Sequence, residues 1–257
     1  MFEKSSIIKS NHGFSTRTGG VSNGVYSSLN LGMNRGDDEE KVTKNWQIFL
    51  EETGIGNIPF VSGKQVHGNY VHIADYSDAA KPYGNSELSM INADGYVTNK
   101  VNLPLAIFTA DCVPVLMEDE KCGIVGAVHC GWRSAALDIE GEAVRAFESL
   151  GGKAENIKAA IGPSIGMCCF EVGSEVPEAF DSLFGRRMSE FYRLKENGKY
   201  NIDLQGLVAE RFAFLGVPRE NIEKVGSCTM CHPDKYYSHR YYNGGVRGSL
   251  ASVIALS

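Results

Sequence analysis

The chain has no surplus of positive charge, no long apolar run and few histidines, and each shortage removes a class of function. Its 25 Lys and Arg against 31 Asp and Glu give a formal net charge of −6, the wrong sign for a standing nucleic-acid partner. The longest apolar stretches are of strand length, far short of the ~20 residues that cross a bilayer. The segment Met1-Phe2-Glu3-Lys4-Ser5-Ser6-Ile7-Ile8 lacks the apolar core of a secretory signal. With six histidines and no His-x-His pair, a multicopper centre has too few ligands. No Gly-x-Ser-x-Gly elbow stands at a strand-to-helix turn, which argues against a serine hydrolase. His-x-Glu with Pro-Cys-x-x-Cys is missing too, which removes the cytidine-deaminase fold. The seven cysteines are odd in number and come without an export signal, so free thiols in a reducing cytoplasm are expected.

At 257 residues, with 43% hydrophobic and 22% charged residues, the chain suits one domain spanning residues 1–257 with a sizeable core. Glycine is abundant, 29 residues or about 11% against a usual ~7%, which favours turn-rich sheets over a helical bundle. Strands are expected at 12–16, 58–62, 70–74, 95–98 and 157–162. The apolar runs 103–117 and 122–129 read as a hairpin around Glu118-Asp119-Glu120-Lys121. Asp37-Asp38-Glu39-Glu40 opens a helix whose Val42, Trp46, Phe49 and Leu50 recur at helical spacing up to Gly54. Further helices are expected over 134–150 and after Ser174 and Asp203, the last two closing at Gly185 and Gly216. Strands and helices interleave without strict alternation, so the fold class is α+β with mixed sheets and flanking helices.

Cys112 and His129 lie in the two arms of the expected hairpin. A thiolate beside an imidazole is either an activated nucleophile or a pair of zinc ligands. His67, in Gly63-Lys64-Gln65-Val66-His67-Gly68, tips the balance toward metal, because three protein donors with one open position is the pattern of a catalytic zinc. Cys228-Thr229-Met230-Cys231-His232 spells a haem-attachment motif, but that chemistry needs export, and no second Cys-x-x-Cys completes a zinc knuckle; ordinary thiols in a turn are expected. Arg17, Arg133 and Arg240 follow glycine-rich or aromatic turns and offer forked donors to phosphate or carboxylate. With Gln65 they are the candidate substrate and phosphate contacts. Gly162-Pro163-Ser164-Ile165-Gly166 has the look of a phosphate loop but lacks its lysine, and a tight turn is expected.

Several strings, in order along the chain, resemble the YfiH-type laccase-domain family: Phe14-Ser15-Thr16-Arg17-Thr18-Gly19-Gly20-Val21-Ser22, Lys64-Gln65-Val66-His67-Gly68, Thr109-Ala110-Asp111-Cys112-Val113-Pro114, His129-Cys130-Gly131-Trp132-Arg133, the 161–173 segment and Ser238-His239-Arg240. The resemblance implies one α/β sandwich-like domain similar to cysteine-dependent toxin deamidases, with zinc on His67, Cys112 and His129. It also implies purine nucleoside phosphorylase activity (adenosine, inosine or methylthioadenosine with phosphate) and adenosine deamination. Members have been called polyphenol oxidases, and some bacterial ones are associated with correcting the peptidoglycan precursor peptide. Cys130 and Ser134 depart from the family's usual alanine and glycine; both flank His129 and are expected to alter the pocket.

Three functions follow. In phosphorolysis the arginines hold a phosphate that attacks the ribose as positive charge builds there; in deamination zinc lowers the pKa of a bound water to ~7, with Asp111 as the proton-shuttling candidate. A copper-dependent polyphenol oxidase is the second, since copper(II) also takes N and S ligands tightly. The third uses Cys112 as nucleophile and His129 as base in amide hydrolysis.

Overall fold

The apolar stretch 103–117 carries two strands, and the break between them builds the site. In the computed structural model, which describes residues 1–80 and 91–257, Asp111 takes φ +94°, a left-handed conformation rarely held by residues other than glycine. The chain turns a corner there, so residues before it enter one sheet and residues after it enter another.

The strands are β1 (Phe2–Glu3), β2 (Asn11–Ser15), β3 (Val71–Ile73), β4 (Gly95–Thr98), β5 (Leu105–Thr109), β6 (Val113–Asp119), β7 (Ile124–Cys130), β8 (Lys158–Ile161), β9 (Glu171–Val172), β10 (Tyr192–Leu194), β11 (Tyr200–Ile202), β12 (Ile222–Lys224) and β13 (Leu250–Ala255). The α-helices are α1 (Glu39–Glu52), α2 (Trp132–Ala136), α3 (Ile139–Ser149), α4 (Glu175–Ala179), α5 (Asp181–Phe184) and α6 (Leu204–Phe214). A six-stranded mixed sheet runs β12-β8-β6-β7-β4-β3, an antiparallel one β1-β2-β13-β5, and a small one β10-β11-β9.

Period-two alternation assigns each strand two faces. On β5, Leu105 and Ile107 join Ile254 of β13 and Phe14 of β2 against Leu116, Val125 and Ala127 of the larger sheet. Ala106, Ala251 and Val253 point the other way, onto Trp46, Phe49 and Leu50 of α1. On the far side of the larger sheet, Val113, Val115, Met117 and Val128 meet Val144 and Phe147 of α3 and Leu207 and Phe212 of α6. The fold is therefore mixed α/β, two sheets face to face with helices outside.

The expected hairpin forms between β6 and β7, with Pro114 opposite His129. Its turn lies later than expected, because Glu118 and Asp119 stay in the strand. Glu118 accepts from the amides of Lys9 and Ser10, and Asp119 from those of Cys122 and Lys153. The expected 134–150 helix is two helices: Asp138 sits at φ +65° and its carboxylate accepts from Gly141 N, capping α3 and breaking the run. The expected 58–62 strand is reduced to bridges, Phe60 to Ala80 and Val61 to Leu105. α1 opens at the acidic run as expected, with Asp38 as its cap, and Asp203 caps α6 as expected. Among the described residues no helix is long and apolar enough to cross a membrane.

Candidate metal centre and cleft

Three segments converge at the edge of the sheet sandwich. Cys112 stands on the corner between β5 and β6, His129 near the end of β7, and His67 on the segment after Phe60-Val61. Their ligand atoms all lie within 4.8 Å of one another, and the two imidazole rings are 4.9 Å apart, edge to face. Gly131 leaves the space between them. A Cβ there would stand 2.7 Å from His67 Nδ1 and 3.5 Å from Cys112 Sγ, so this cradle excludes any side chain. One thiolate and two imidazoles suit zinc, and copper as well.

Asp94, immediately before β4, holds the arrangement together and was not singled out in the sequence. Fully buried, it accepts at 2.8 Å from His129 Nδ1 and from the backbone amides of Val66, His67 and Gly68 at 3.1, 3.0 and 2.8 Å. Those bonds hold His67 at φ +58°, a left-handed conformation that would otherwise be costly. The Nδ1 bond fixes the His129 tautomer and leaves Nε2 for Cys112 or a metal. Burial opposes charge on His129, but the Cys112 thiolate and Asp94 outweigh it and lift its pKa to about 9. His67 goes the other way: burial, His129 and Arg133 lower its pKa, which favours the neutral imidazole. Burial likewise opposes ionisation of Asp94, yet the His129 bond and the Gly68 amide hold its carboxyl below the usual range.

The three donors open into a cleft of about 1040 Å³. Arg133 and Arg240 line it, joined by Arg35, His239 and Arg247, which the sequence reading did not single out. Arg133 lies 4.2 Å over the Trp132 ring and forms no ion pair with any described residue. Arg247 is half-buried, and among the described residues its Nε has no hydrogen-bond partner; burial and the nearby Arg35 lower its pKa. The signal for these residues was faint: single basic residues in polar loops distant in sequence.

Three candidates are otherwise engaged. Gln65 lines the cleft, but its Nε2 donates to Phe108 O and its Oε1 accepts from Phe108 N, both at 2.7 Å; it splices the His67 segment to β5. Arg17 stands apart from the cleft, over the Tyr237 ring at 4.6 Å and donating to Ser27 O and Pro233 O. Asp111 lines the cleft as a bracket: Oδ1 accepts from Thr229 Oγ1 and Oδ2 from Arg240 N, each at 2.6 Å.

Alternation also corrects the expectation for Cys130, which faces the helix layer, opposite His129, beside buried Glu140. Ser134 is fully buried in α2 and does not line the cleft. The Gly162–Gly166 segment spells Gly-x-Ser-x-Gly but leads through turns to β9 rather than into a helix, and Ser164 is fully buried. Cys228 and Cys231, expected as ordinary thiols in a turn, meet Cys168 and Cys169.

Residues 11–257 match the family model described as multi-copper polyphenol oxidoreductase laccase. The chain belongs to that family. A purine nucleoside phosphorylase of Bacteroides thetaiotaomicron is 36% identical to it over 240 residues, 92% of this chain and 88% of the relative. An adenosine deaminase, RL5, from an unknown prokaryotic organism is 32% identical over 242 residues, 93% and 92% of the two chains. In structure, this laccase-family chain is similar to the hypothetical protein YfiH of Bacillus licheniformis, with a TM-score of 0.90, 30% identity and coverage of 96% and 92%.

Proposed function

We propose that this laccase-family chain, acting as one domain over residues 1–257, is a zinc-dependent purine nucleoside phosphorylase that also deaminates adenosine. The observation that carries the proposal is the open three-donor set of His67, Cys112 and His129 at one side of a cleft rimmed by arginines. The names of relatives that act on purine nucleosides support it.

In phosphorolysis the N-glycosidic bond breaks as positive charge builds on the ribose. Arg133, Arg240 and Arg247, with Arg35 at the rim, would hold a phosphate beside that charge by forked, charge-assisted bonds. Phe108, Trp132 and Phe170 in the cleft wall offer ring faces to a purine. Asp111 keeps the Arg240 backbone and the Cys112 corner in fixed relation. Zinc on the three donors would supply Lewis acidity at its open fourth position, the chemistry that deamination of a purine ring needs. Asp94 orients His129 for that role.

The test is a panel of adenosine, inosine and methylthioadenosine, with and without phosphate, following purine release and ammonia. Purine release that depends on phosphate and on metal is expected. Phosphate-independent turnover of every nucleoside, or no turnover, overturns the phosphorylase assignment.

One observation favours a second reading: Asp94, His129 and Cys112 also form an orienter–base–nucleophile series. Full activity in protein stripped of metal, abolished by alkylation of Cys112, would replace the zinc mechanism with an amide hydrolase. Copper at the same donors would instead show as metal-dependent oxidation of phenols.

A further inference from the structure

A second cluster of metal-binding side chains lies outside the chemistry above. Cys168 and Cys169 belong to the turns after β8, Cys228 and Cys231 to the turns after β12, and their four sulfurs lie within 4.8 Å of one another. Cys231 Sγ is 3.4 Å from Cys168 Sγ and 3.3 Å from Cys169 Sγ, and all four cysteines are free. Sulfurs at the corners of a tetrahedron with Zn–S bonds of ~2.3 Å stand about 3.8 Å apart, inside the range the cluster spans. The Gly166 amide donates to Cys228 Sγ at 3.2 Å, as amides do to ligating thiolates.

We propose that Cys168, Cys169, Cys228 and Cys231 bind a zinc ion in a closed tetrathiolate site. Four protein ligands leave no open position, which is the arrangement of structural rather than catalytic zinc. The ion fastens the 162–173 segment to the 226–232 turn, and both support the cleft. Thr229 N donates to Ser164 O and Ile165 N to Asp111 O. Thr229 Oγ1 donates to Asp111 Oδ1 at 2.6 Å, and the Arg240 guanidinium donates to Glu171 O at 2.9 Å. The tetrathiolate zinc therefore positions Asp111, next to Cys112, and an arginine of the cleft, while taking no part in the chemistry.

The experiment measures zinc in the full-length protein, purified under reducing conditions without chelator. Wild type is expected to carry about two zinc ions per chain, and both Cys112→Ala and Cys231→Ser about one. Cobalt-loaded Cys112→Ala should show the intense visible bands of a tetrathiolate ion, and Cys231→Ser should not. Should Cys231→Ser fail to fold, zinc X-ray absorption on Cys112→Ala reads the ligands directly, with an all-sulfur shell expected. One zinc in wild type that is lost in Cys112→Ala overturns the proposal, as does a Cys228–Cys231 disulfide in the reduced protein or a nitrogen-containing shell in Cys112→Ala. The tetrathiolate count does not depend on nucleoside turnover, so failure of the proposed activity leaves it standing.

Discussion

The His67/Cys112/His129 centre and the four-thiol cluster differ in donors, in support and in what faces them. The first mixes one sulfur with two imidazoles, takes two donors from strand ends, and rests on Asp94, which is wholly buried and bonded to His129 and three amides. It opens into the cleft. The second uses sulfur alone, draws every donor from turns, and has amide N–H groups rather than a carboxylate behind it. Strand ends hold side chains in fixed places against a packed core, and a carboxylate behind a ligand tunes it; those are the needs of a reactive site. Turns have little packing to hold them, and a closed set of four thiols can supply what packing does not.

The change that should separate the two clusters most is Asp94→Asn. The amide replaces a carboxylate oxygen with a donor facing N–H groups, freeing His129 to change tautomer and His67 to leave its left-handed conformation. Metal affinity of the histidine centre should fall about ten- to a hundredfold, with nucleoside turnover falling in step, while the cobalt spectrum of the four-thiol cluster stays as in wild type. Competition with a graded chelator series measures both. Equal weakening of both sites would mean that Asp94 supports the fold at large rather than one centre.

A smaller separation is expected from Arg133→Lys, which touches the cleft but neither set of ligands. The lysine keeps the charge while losing the fork and most of the contact with Trp132. Losing one charge-assisted bond of ~1.5–3 kcal/mol corresponds to roughly a ten- to hundredfold fall in kcat/KM for phosphate. Zinc content should hold, and stability should change by less than ~1 kcal/mol, the value of an exposed cation–π contact. Unchanged phosphate dependence would leave Arg240 and Arg247 as the phosphate contacts.

Local signals carried the elements. Asp38 and Asp203 announce their helices because a carboxylate at that point satisfies free amides, and the β6–β7 hairpin follows from two apolar runs. Asp111 hid the corner: an aspartate inside an apolar run gives no warning that its φ is positive, yet that turn puts β5 and β6 in different sheets. The three candidate ligands could be named because His and Cys are scarce and chemically distinctive. Their support could not, since Asp94 is one of 31 acidic residues and owes its role to contacts 26–35 residues away in sequence. Gln65 and Arg17 are the reverse case, polar residues of functional type that donate to backbone carbonyls. The four-thiol cluster escaped because its halves are more than fifty residues apart and only the pairing of β8 with β12 brings them together.

The change expected to disturb the two clusters least tests whether the two faces of β7 are independent. Glu140 lies in the first turn of α3, 1% exposed, beside the Cys130 thiol. Burial, helped by Asp138 and opposed by its own amide, lifts its pKa from 4.5 to about 8. In the unfolded chain this group ionises near 4.5. Its contribution to stability is therefore complete below pH 4.5 and declines as pH rises, until it is lost above about 8. Glu140→Gln stays neutral throughout. It should match wild type near pH 4.5 and exceed it at pH 9 by up to roughly 5 kcal/mol, at ~1.36 kcal/mol for each unit between 4.5 and about 8. Zinc content at both clusters should be unaffected, since alternation turns Cys130 and Glu140 away from His129. Melting curves at pH 5 and pH 9, with zinc measured in parallel, check both halves. A gain that is the same at both pH values would mean that Glu140 is charged or solvated in the folded protein, and a loss of zinc would couple the helix face of β7 to the metal centre.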